Sequence, residues 1–69
     1  MSFGELLKQT RLNKGFTQAE VAKMFGWTPM YYGRYENGCL LPTKKNYKRF
    51  ADFLGLSLED FIRLVETKN

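Results

Sequence analysis

Apolar residues recur along much of this chain at intervals of three and four, the spacing that places them on one face of an α-helix. Five segments show the pattern, and each predicts one helix: residues 2–14, 18–25, 29–37, 44–54 and 58–67. No segment alternates apolar and polar residues with the period of two that a half-buried strand requires. The pattern therefore predicts an all-α fold of five helices.

Start and stop signals bound these segments. Ser2 and Thr17 are each followed three residues later by glutamate, so the hydroxyl can accept from an early helical N–H while the acid bonds back to the capping residue. Ser57 is a weaker variant, because the acid three residues later is an aspartate, and Thr28 before proline and Thr43 after proline are two further starts. Four glycines suited to the left-handed conformation that ends a helix follow the segments: Gly15, Gly26, Gly38 and Gly55.

The length of 69 residues allows one domain, residues 1–69, because a chain of this size can bury only one core. Its composition, 43% hydrophobic and 16% aromatic, supplies such a core and predicts a folded chain. The amino terminus lacks the basic-then-apolar pattern of a signal segment, and no apolar run approaches the ~18 residues of a membrane span. We therefore expect a cytoplasmic, nucleoid-associated protein with no membrane partner.

The net charge of +4 favours an anionic partner, nucleic acid above all. The absence of histidine and the presence of a single cysteine, Cys39, exclude an internal disulfide and leave no ligand set for zinc. The sequence shows no glycine-rich phosphate loop, no paired acids and no base beside the cysteine. We therefore expect no enzymatic activity, no metal, no cofactor and no small-molecule ligand.

Residues 18–37 have the layout of a helix-turn-helix, in which two short helices meet at a tight turn and the second lies in a DNA groove. Ala22 is small where the two crossing helices approach each other, and Gly26 supplies the positive φ of the turn. Tyr32 and Tyr35, three residues apart, form the inner seam of the second helix. This segment predicts a DNA-binding pair of helices.

Residues 17–38, TQAEVAKMFGWTPMYYGRYENG, resemble the Xre-type helix-turn-helix of phage repressor and Cro proteins. The segments 11–15 and 54–57 fit the same family, so the resemblance covers residues 3 to about 65. It implies a compact five-helix, lambda-repressor-like domain that binds a double-stranded DNA operator of two-fold symmetry as a homodimer and regulates transcription, as a repressor. An alternative of the same fold is an interaction module, such as an antitoxin that neutralises a partner protein.

The resemblance also implies which residues contact bases, namely the early exposed residues of the third helix: Pro29, Met30, Tyr31 and Arg34. Arg34 is the strongest candidate, because a guanidinium can bond O6 and N7 of guanine together and discriminate by about 1–3 kcal/mol. A phosphate contact or a surface salt bridge is its alternative role. Pro29 and Met30 can press on a thymine methyl or simply start the helix, and Tyr31 can reach DNA or pack sideways.

Phosphate contacts are expected at the ends of the two helices and at the entry to the fourth: Thr17, Gln18, Asn37, Lys44 and Lys45. The dipole of a helix disfavours cations at its start, which favours an external anion beside Lys44 and Lys45 over a solvated face. Thr17 has its capping role as an alternative. Lys48 and Arg49 are weaker candidates.

Three further features are tied to the resemblance, and a fourth to the apolar spacing. Arg11 and Glu36 are expected to form the buried ion pair that sets the angle of the recognition helix, and a phosphate contact is the alternative for Arg11. Tyr32 stands where the family usually has an aliphatic residue, so its hydroxyl needs a partner or must reach the surface. Gly33 lowers helix stability by about 1 kcal/mol relative to alanine. It either permits a close approach of the DNA backbone or a partner, or has no function. The apolar excess of the fifth helix packs internally or forms a dimer contact.

Overall fold

Five α-helices make up the protein, whose computed structural model describes residues 2–66. They are α1 (Phe3–Asn13), α2 (Gln18–Phe25), α3 (Pro29–Glu36), α4 (Tyr47–Leu54) and α5 (Leu58–Glu66). No strand occurs in this part of the chain, so the predicted all-α fold of five helices is confirmed. The predicted end of the fifth helix, residue 67, lies outside the described residues. Within residues 2–66, no helix is long and apolar enough to cross a membrane.

The start of the fourth helix differs from the prediction. Residues Lys44–Asn46 form a single 3₁₀ turn, and α4 begins only at Tyr47. Thr43 makes no side-chain capping bond, so the expected start signal is not used. A three-residue turn aligns few peptide dipoles. The predicted start at residue 44 is therefore three residues early, and the two lysines lie in a short turn, where the argument from the helix dipole is weaker.

The other start signals act as predicted. The Thr17 hydroxyl accepts from the Glu20 N–H at 3.1 Å, and the Glu20 carboxylate accepts from the Thr17 N–H at 2.8 Å. Ser2 forms the same capping box at the start of α1. Thr28 and Ser57 each accept from the backbone N–H three residues on, at 3.1 Å. These bonds satisfy N–H groups that the first turn of a helix leaves without partners.

Gly26 makes the turn between α2 and α3 possible. Its φ of 80° lies in the left-handed region, where a side chain would be strained. The next N–H, that of Trp27, bonds back to the Ala22 carbonyl at 2.8 Å and closes the end of α2. The other three glycines predicted to end helices also have positive φ.

Phe50 occupies the centre of the core. This fully buried α4 residue contacts one aromatic ring from each of the other four helices. Its ring centroid lies 5.1, 5.1, 5.1 and 6.3 Å from those of Phe3, Phe25, Tyr35 and Phe61. Aromatic pairs at these separations add to the free energy of burial. One side chain thus links all five helices.

Gly4 allows α1 to approach the end of α3. A Cβ atom built on Gly4 would lie 2.5 Å from the Glu36 carbonyl oxygen and 2.8 Å from that of Tyr35. A Cβ on Gly33, in contrast, would meet only the Gln18 amide group, at 3.8 and 3.9 Å. Gly4 is therefore required by the packing of α1 on α3, whereas Gly33 is not required by any contact within residues 2–66.

Substituting these two glycines by alanine should change stability in opposite directions. Gly4→Ala should lower the free energy of unfolding by about 1–3 kcal/mol, because the backbone it meets cannot yield without moving α1 from α3. Gly33→Ala should raise it by about 0.5–1 kcal/mol, since alanine loses less backbone entropy in a helix. Urea unfolding followed by far-UV circular dichroism measures both, and a destabilising Gly33→Ala would contradict this account of Gly33.

Candidate nucleic-acid interface

The inner face of α3 packs on the rest of the protein and its outer face is open to solvent. Tyr32 and Tyr35 are buried, and both were predicted for the inner seam. Pro29, Met30 and Arg34 are exposed, Met30 to 73%. Three of the four residues predicted to contact bases therefore share the open side of α3.

Tyr31 lies at the edge of this face and packs sideways. It is 38% exposed. Its ring meets that of Trp27 edge-on at 5.0 Å, and its hydroxyl lies 3.0 Å from the Tyr35 hydroxyl. Burial and the bond to Tyr31 raise the pKa of Tyr35 to about 12, so the Tyr35 hydroxyl stays protonated at neutral pH. The Tyr31 hydroxyl is thus engaged within the protein.

Arg34 is the one cation on the outer face of α3. Its side chain forms no hydrogen bond or ion pair with any residue between 2 and 66. The alternative of a surface salt bridge therefore has no partner in the described part of the chain. A guanidinium in this position keeps its donors available to an external acceptor.

The carboxyl end of α3 is held by a buried carboxylate. Glu36 accepts from Arg11 Nε at 2.6 Å and from Arg11 Nη2 at 3.2 Å, so the two residues of the predicted ion pair contact each other. The Tyr32 hydroxyl donates to Glu36 at 2.6 Å, and the Gln18 amide donates to it at 3.0 Å. Arg11 also donates to the Phe16 carbonyl at 2.9 Å. The Glu36 side chain is 2% exposed.

These bonds determine the protonation states of the group. Burial raises the pKa of Glu36, but the hydrogen bonds from Arg11, Tyr32 and Gln18 outweigh it and leave the pKa below its ordinary value. Burial and the bond to Glu36 raise the pKa of Tyr32, and the bond to Glu36 raises that of Arg11. At neutral pH Glu36 is therefore ionised and surrounded by donors, as a buried charge requires.

The structure divides the predicted phosphate contacts into two groups. Thr17 uses its hydroxyl as the cap of α2, and Gln18 uses its amide in the Glu36 group. Asn37 is exposed at the carboxyl end of α3. Lys44 and Lys45 are exposed and unpaired among residues 2–66, beside a surface depression that α5 also lines. The backbone at the start of α2 and the two lysines thus remain open to an anion.

Arg49 has a role that the sequence did not indicate. It was a weak candidate for a phosphate contact, yet its Nη2 donates to the Phe25 carbonyl at 2.5 Å. Its guanidinium lies over the rings of Phe25 and Trp27. The acceptor is a backbone carbonyl 24 residues away, and spacing along the chain carries no signal for such a contact.

Within residues 2–66, no group of acids, histidines and cysteines could hold a metal ion.

Comparison with known proteins relates the chain to regulators of transcription. Residues 7–61 match the family described as helix-turn-helix. The SPbeta prophage-derived uncharacterized HTH-type transcriptional regulator YonR of Bacillus subtilis is 36% identical over 61 residues, which are 88% of this chain and 56% of that protein. The uncharacterized HTH-type transcriptional regulator YqaF of Bacillus subtilis is 42% identical over 65 residues, 91% of this chain and 86% of that protein.

A phage protein is similar over a shorter span. The ImmF control region 10 kDa protein of Bacillus phage phi105 is 38% identical over 55 residues, which are 80% of this chain and 61% of that protein. The chain therefore spans little more than half the length of two of these three relatives. No solved structure matches it.

The Glu36 group should make stability depend on pH in the acid range. Because the pKa of Glu36 is lowered in the folded protein, its contribution is complete above the ordinary value of 4.5 and is lost as pH falls through the lower, folded value. Glu36→Gln should lower the free energy of unfolding at pH 7 by about 3–5 kcal/mol, since Arg11 stays buried without a countercharge. The decline in stability on acidification should become shallower.

Urea unfolding at a series of pH values measures both effects. Glu5→Gln is the matched control, because the Glu5 carboxylate also has a lowered pKa, from its bonds to Ser2, but lies in solvent. It should change the acid dependence much less than Glu36→Gln does. Equal stability of Glu36→Gln and the wild type at neutral pH would contradict the role given to this carboxylate.

Proposed function

The chain belongs to the helix-turn-helix family, and from this premise we propose that it is a repressor that binds a two-fold DNA operator as a homodimer, with α3 in the major groove. DNA binding and regulation of transcription are what the family supports. The observation that carries the finer proposal is the outer face of α3, which is exposed while the inner face and the carboxyl end of the helix are buried against the core.

Arg34 is proposed to read a base pair. Its guanidinium is unpaired among the described residues and matches the two acceptors that guanine presents in the major groove. Pro29 and Met30 are proposed to contact thymine methyl groups, because both are apolar and exposed at the start of the helix. Tyr31 is proposed to contact DNA through its exposed ring edge, since its hydroxyl is engaged with Tyr35.

The DNA backbone is proposed to lie across the start of α2 and the carboxyl end of α3. The free N–H groups and the dipole at the start of α2 favour a phosphate at Thr17 and Gln18. Asn37 lies at the end of α3, whose Glu36 receives the bond from Gln18. Lys44 and Lys45 supply a second, cationic contact, now supported by their exposure and lack of partners rather than by a helix dipole.

The homodimer is proposed to form through α5. Leu58 is 48% exposed and Ile62 is partly exposed one turn later, so this helix offers apolar surface that the core does not cover. Burying it would add to the limited core of a domain this small. A two-fold pair would place the recognition helices on major-groove faces about 34 Å apart.

Selection of bound sites from random double-stranded DNA tests the proposal. The wild type should select two half-sites in inverted orientation, and Arg34→Ala should lose preference at one position of each, a change of about 1–3 kcal/mol. Arg34→Lys is the matched control, since lysine keeps the charge but not the bidentate fork. Arg34→Lys should weaken this base preference without abolishing it, because an ammonium can still donate to guanine but lacks the fixed fork. Unchanged preference in Arg34→Ala would remove Arg34 from the base contacts. Single, unpaired half-sites would contradict the homodimer.

The salt dependence of binding tests the two lysines. Lys44→Ala combined with Lys45→Ala should lower the slope of log affinity against log salt by about 2 per protomer, or about 4 for the proposed homodimer, because each phosphate contact releases nearly one counterion. Base preference should be unchanged. Lys8→Ala, on the exposed side of α1, is the control and should leave the slope unchanged. An unaltered slope in the double variant would remove Lys44 and Lys45 from the backbone contacts.

A further inference from the structure

We propose that Arg49 is a positioning residue for α3. It holds the carboxyl end of α2 and the turn that follows, and thereby sets the orientation of the recognition helix, without contacting DNA itself. Its effect on DNA binding rests on the function proposed above. Its effect on the turn is a property of the free protein and can be measured separately.

The first contact is a helix cap supplied by a distant helix. Phe25 is the last residue of α2, so its carbonyl has no N–H four residues on to accept from. Arg49 Nη2, from α4, donates to this carbonyl at 2.5 Å. A cation at the carboxyl end of a helix also interacts favourably with the helix dipole. Arg49 thus ties α4 to the residue at which the chain leaves α2.

The second contact extends through aromatic rings to α3. The Arg49 guanidinium lies 5.1 Å from the centroid of the Phe25 ring and 5.5 Å from that of Trp27. The Trp27 ring stacks on Phe25 at 4.9 Å and on Tyr35 of α3 at 5.2 Å. A guanidinium over an aromatic face is attracted by the ring and, being planar, can stack on it. Arg49, Trp27 and Tyr35 therefore form a continuous path from α4 to the recognition helix.

The neighbouring Lys48 is a cation on the same helix that does not contact the turn after α2. It is exposed on the same helix, and its side chain forms no hydrogen bond or ion pair within residues 2–66. Arg49 is exposed as well, yet it has the Phe25 carbonyl, two rings and a long contact of 3.5 Å to Asn46. Exposure and charge alone do not account for this set of contacts, whereas a structural role at the turn does.

The experiment compares Arg49→Gln and Arg49→Lys with the control Lys48→Gln, using two measurements. The first is fluorescence of the free protein, which reports on this place because Trp27 is the sole tryptophan. The second is affinity for a selected operator as a function of salt. Both Arg49 variants should shift the Trp27 emission and bind more weakly, by up to about tenfold, because losing a hydrogen bond from a charged group lowers affinity only as far as it displaces α3.

The salt slope separates positioning from direct contact. Both Arg49 variants should keep the wild-type slope, because no phosphate contact is lost. Lysine should not restore affinity, since an ammonium cannot both cap the carbonyl and stack on two rings. Lys48→Gln should leave the Trp27 emission unchanged. If Arg49→Gln does not fold under the assay conditions, Arg49→Lys gives the same two measurements.

Two results would overturn the proposal. A slope lowered by about 1 per protomer in Arg49→Gln, or about 2 for the proposed homodimer, would make Arg49 a phosphate contact if Arg49→Lys restores affinity and Trp27 emission is unchanged. Unchanged emission and affinity in both variants would make it a surface residue. Failure of the wild-type protein to bind DNA would contradict the proposed function, and the fluorescence comparison would still decide whether Arg49 holds the turn.

Discussion

The packing of α3 depends on one buried carboxylate. Glu36 accepts hydrogen bonds from Arg11 of α1, from Gln18 of α2 and from Tyr32 of α3 itself. A buried charge is tolerated only when its hydrogen bonds are complete, so the three helices must meet in the arrangement that completes them. Gly4 permits this arrangement, because any side chain there would push α1 away from the end of α3. The burial of the Glu36 carboxylate and the close approach of α1 to α3 at Gly4 therefore depend on each other.

Aromatic contacts also hold the inner face of α3, at Tyr35 beside Glu36. The Trp27 ring, in the turn, stacks on Tyr35 and on Phe25. The Phe50 ring contacts Tyr35 and Phe25 as well. The polar contacts of Glu36 and the ring contacts of Tyr35 together leave little freedom for the helix to rotate. A face held in this way is presented with its geometry already set, which lowers the entropic cost of binding.

The sequence predicted the helices well because their signals are local. Caps such as Thr17 and the left-handed Gly26 act within a few residues, and periodicity identified the buried faces. The pairing of Arg11 with Glu36 followed only from the family resemblance. The structural roles of Gly4 and Arg49 were missed because each contacts a backbone carbonyl on a distant helix. The residue types in the sequence do not indicate such a contact. The 3₁₀ turn before α4 was missed because Thr43 resembles a cap but makes no capping bond.

The composition of the outer face of α3 limits how far its hydrogen bonds could discriminate between DNA sequences. Arg34 is its only cation, and one bidentate contact discriminates between bases by about 1–3 kcal/mol, or about 2–6 kcal/mol for two half-sites. Specific binding typically exceeds non-specific binding by about 4–10 kcal/mol. On the proposed function, the difference has to come from methyl contacts at Pro29 and Met30 and from the shape and deformability of the operator. A rigidly held α3 suits this, because apolar contact and shape recognition tolerate less misplacement than a long, flexible hydrogen-bonding side chain does.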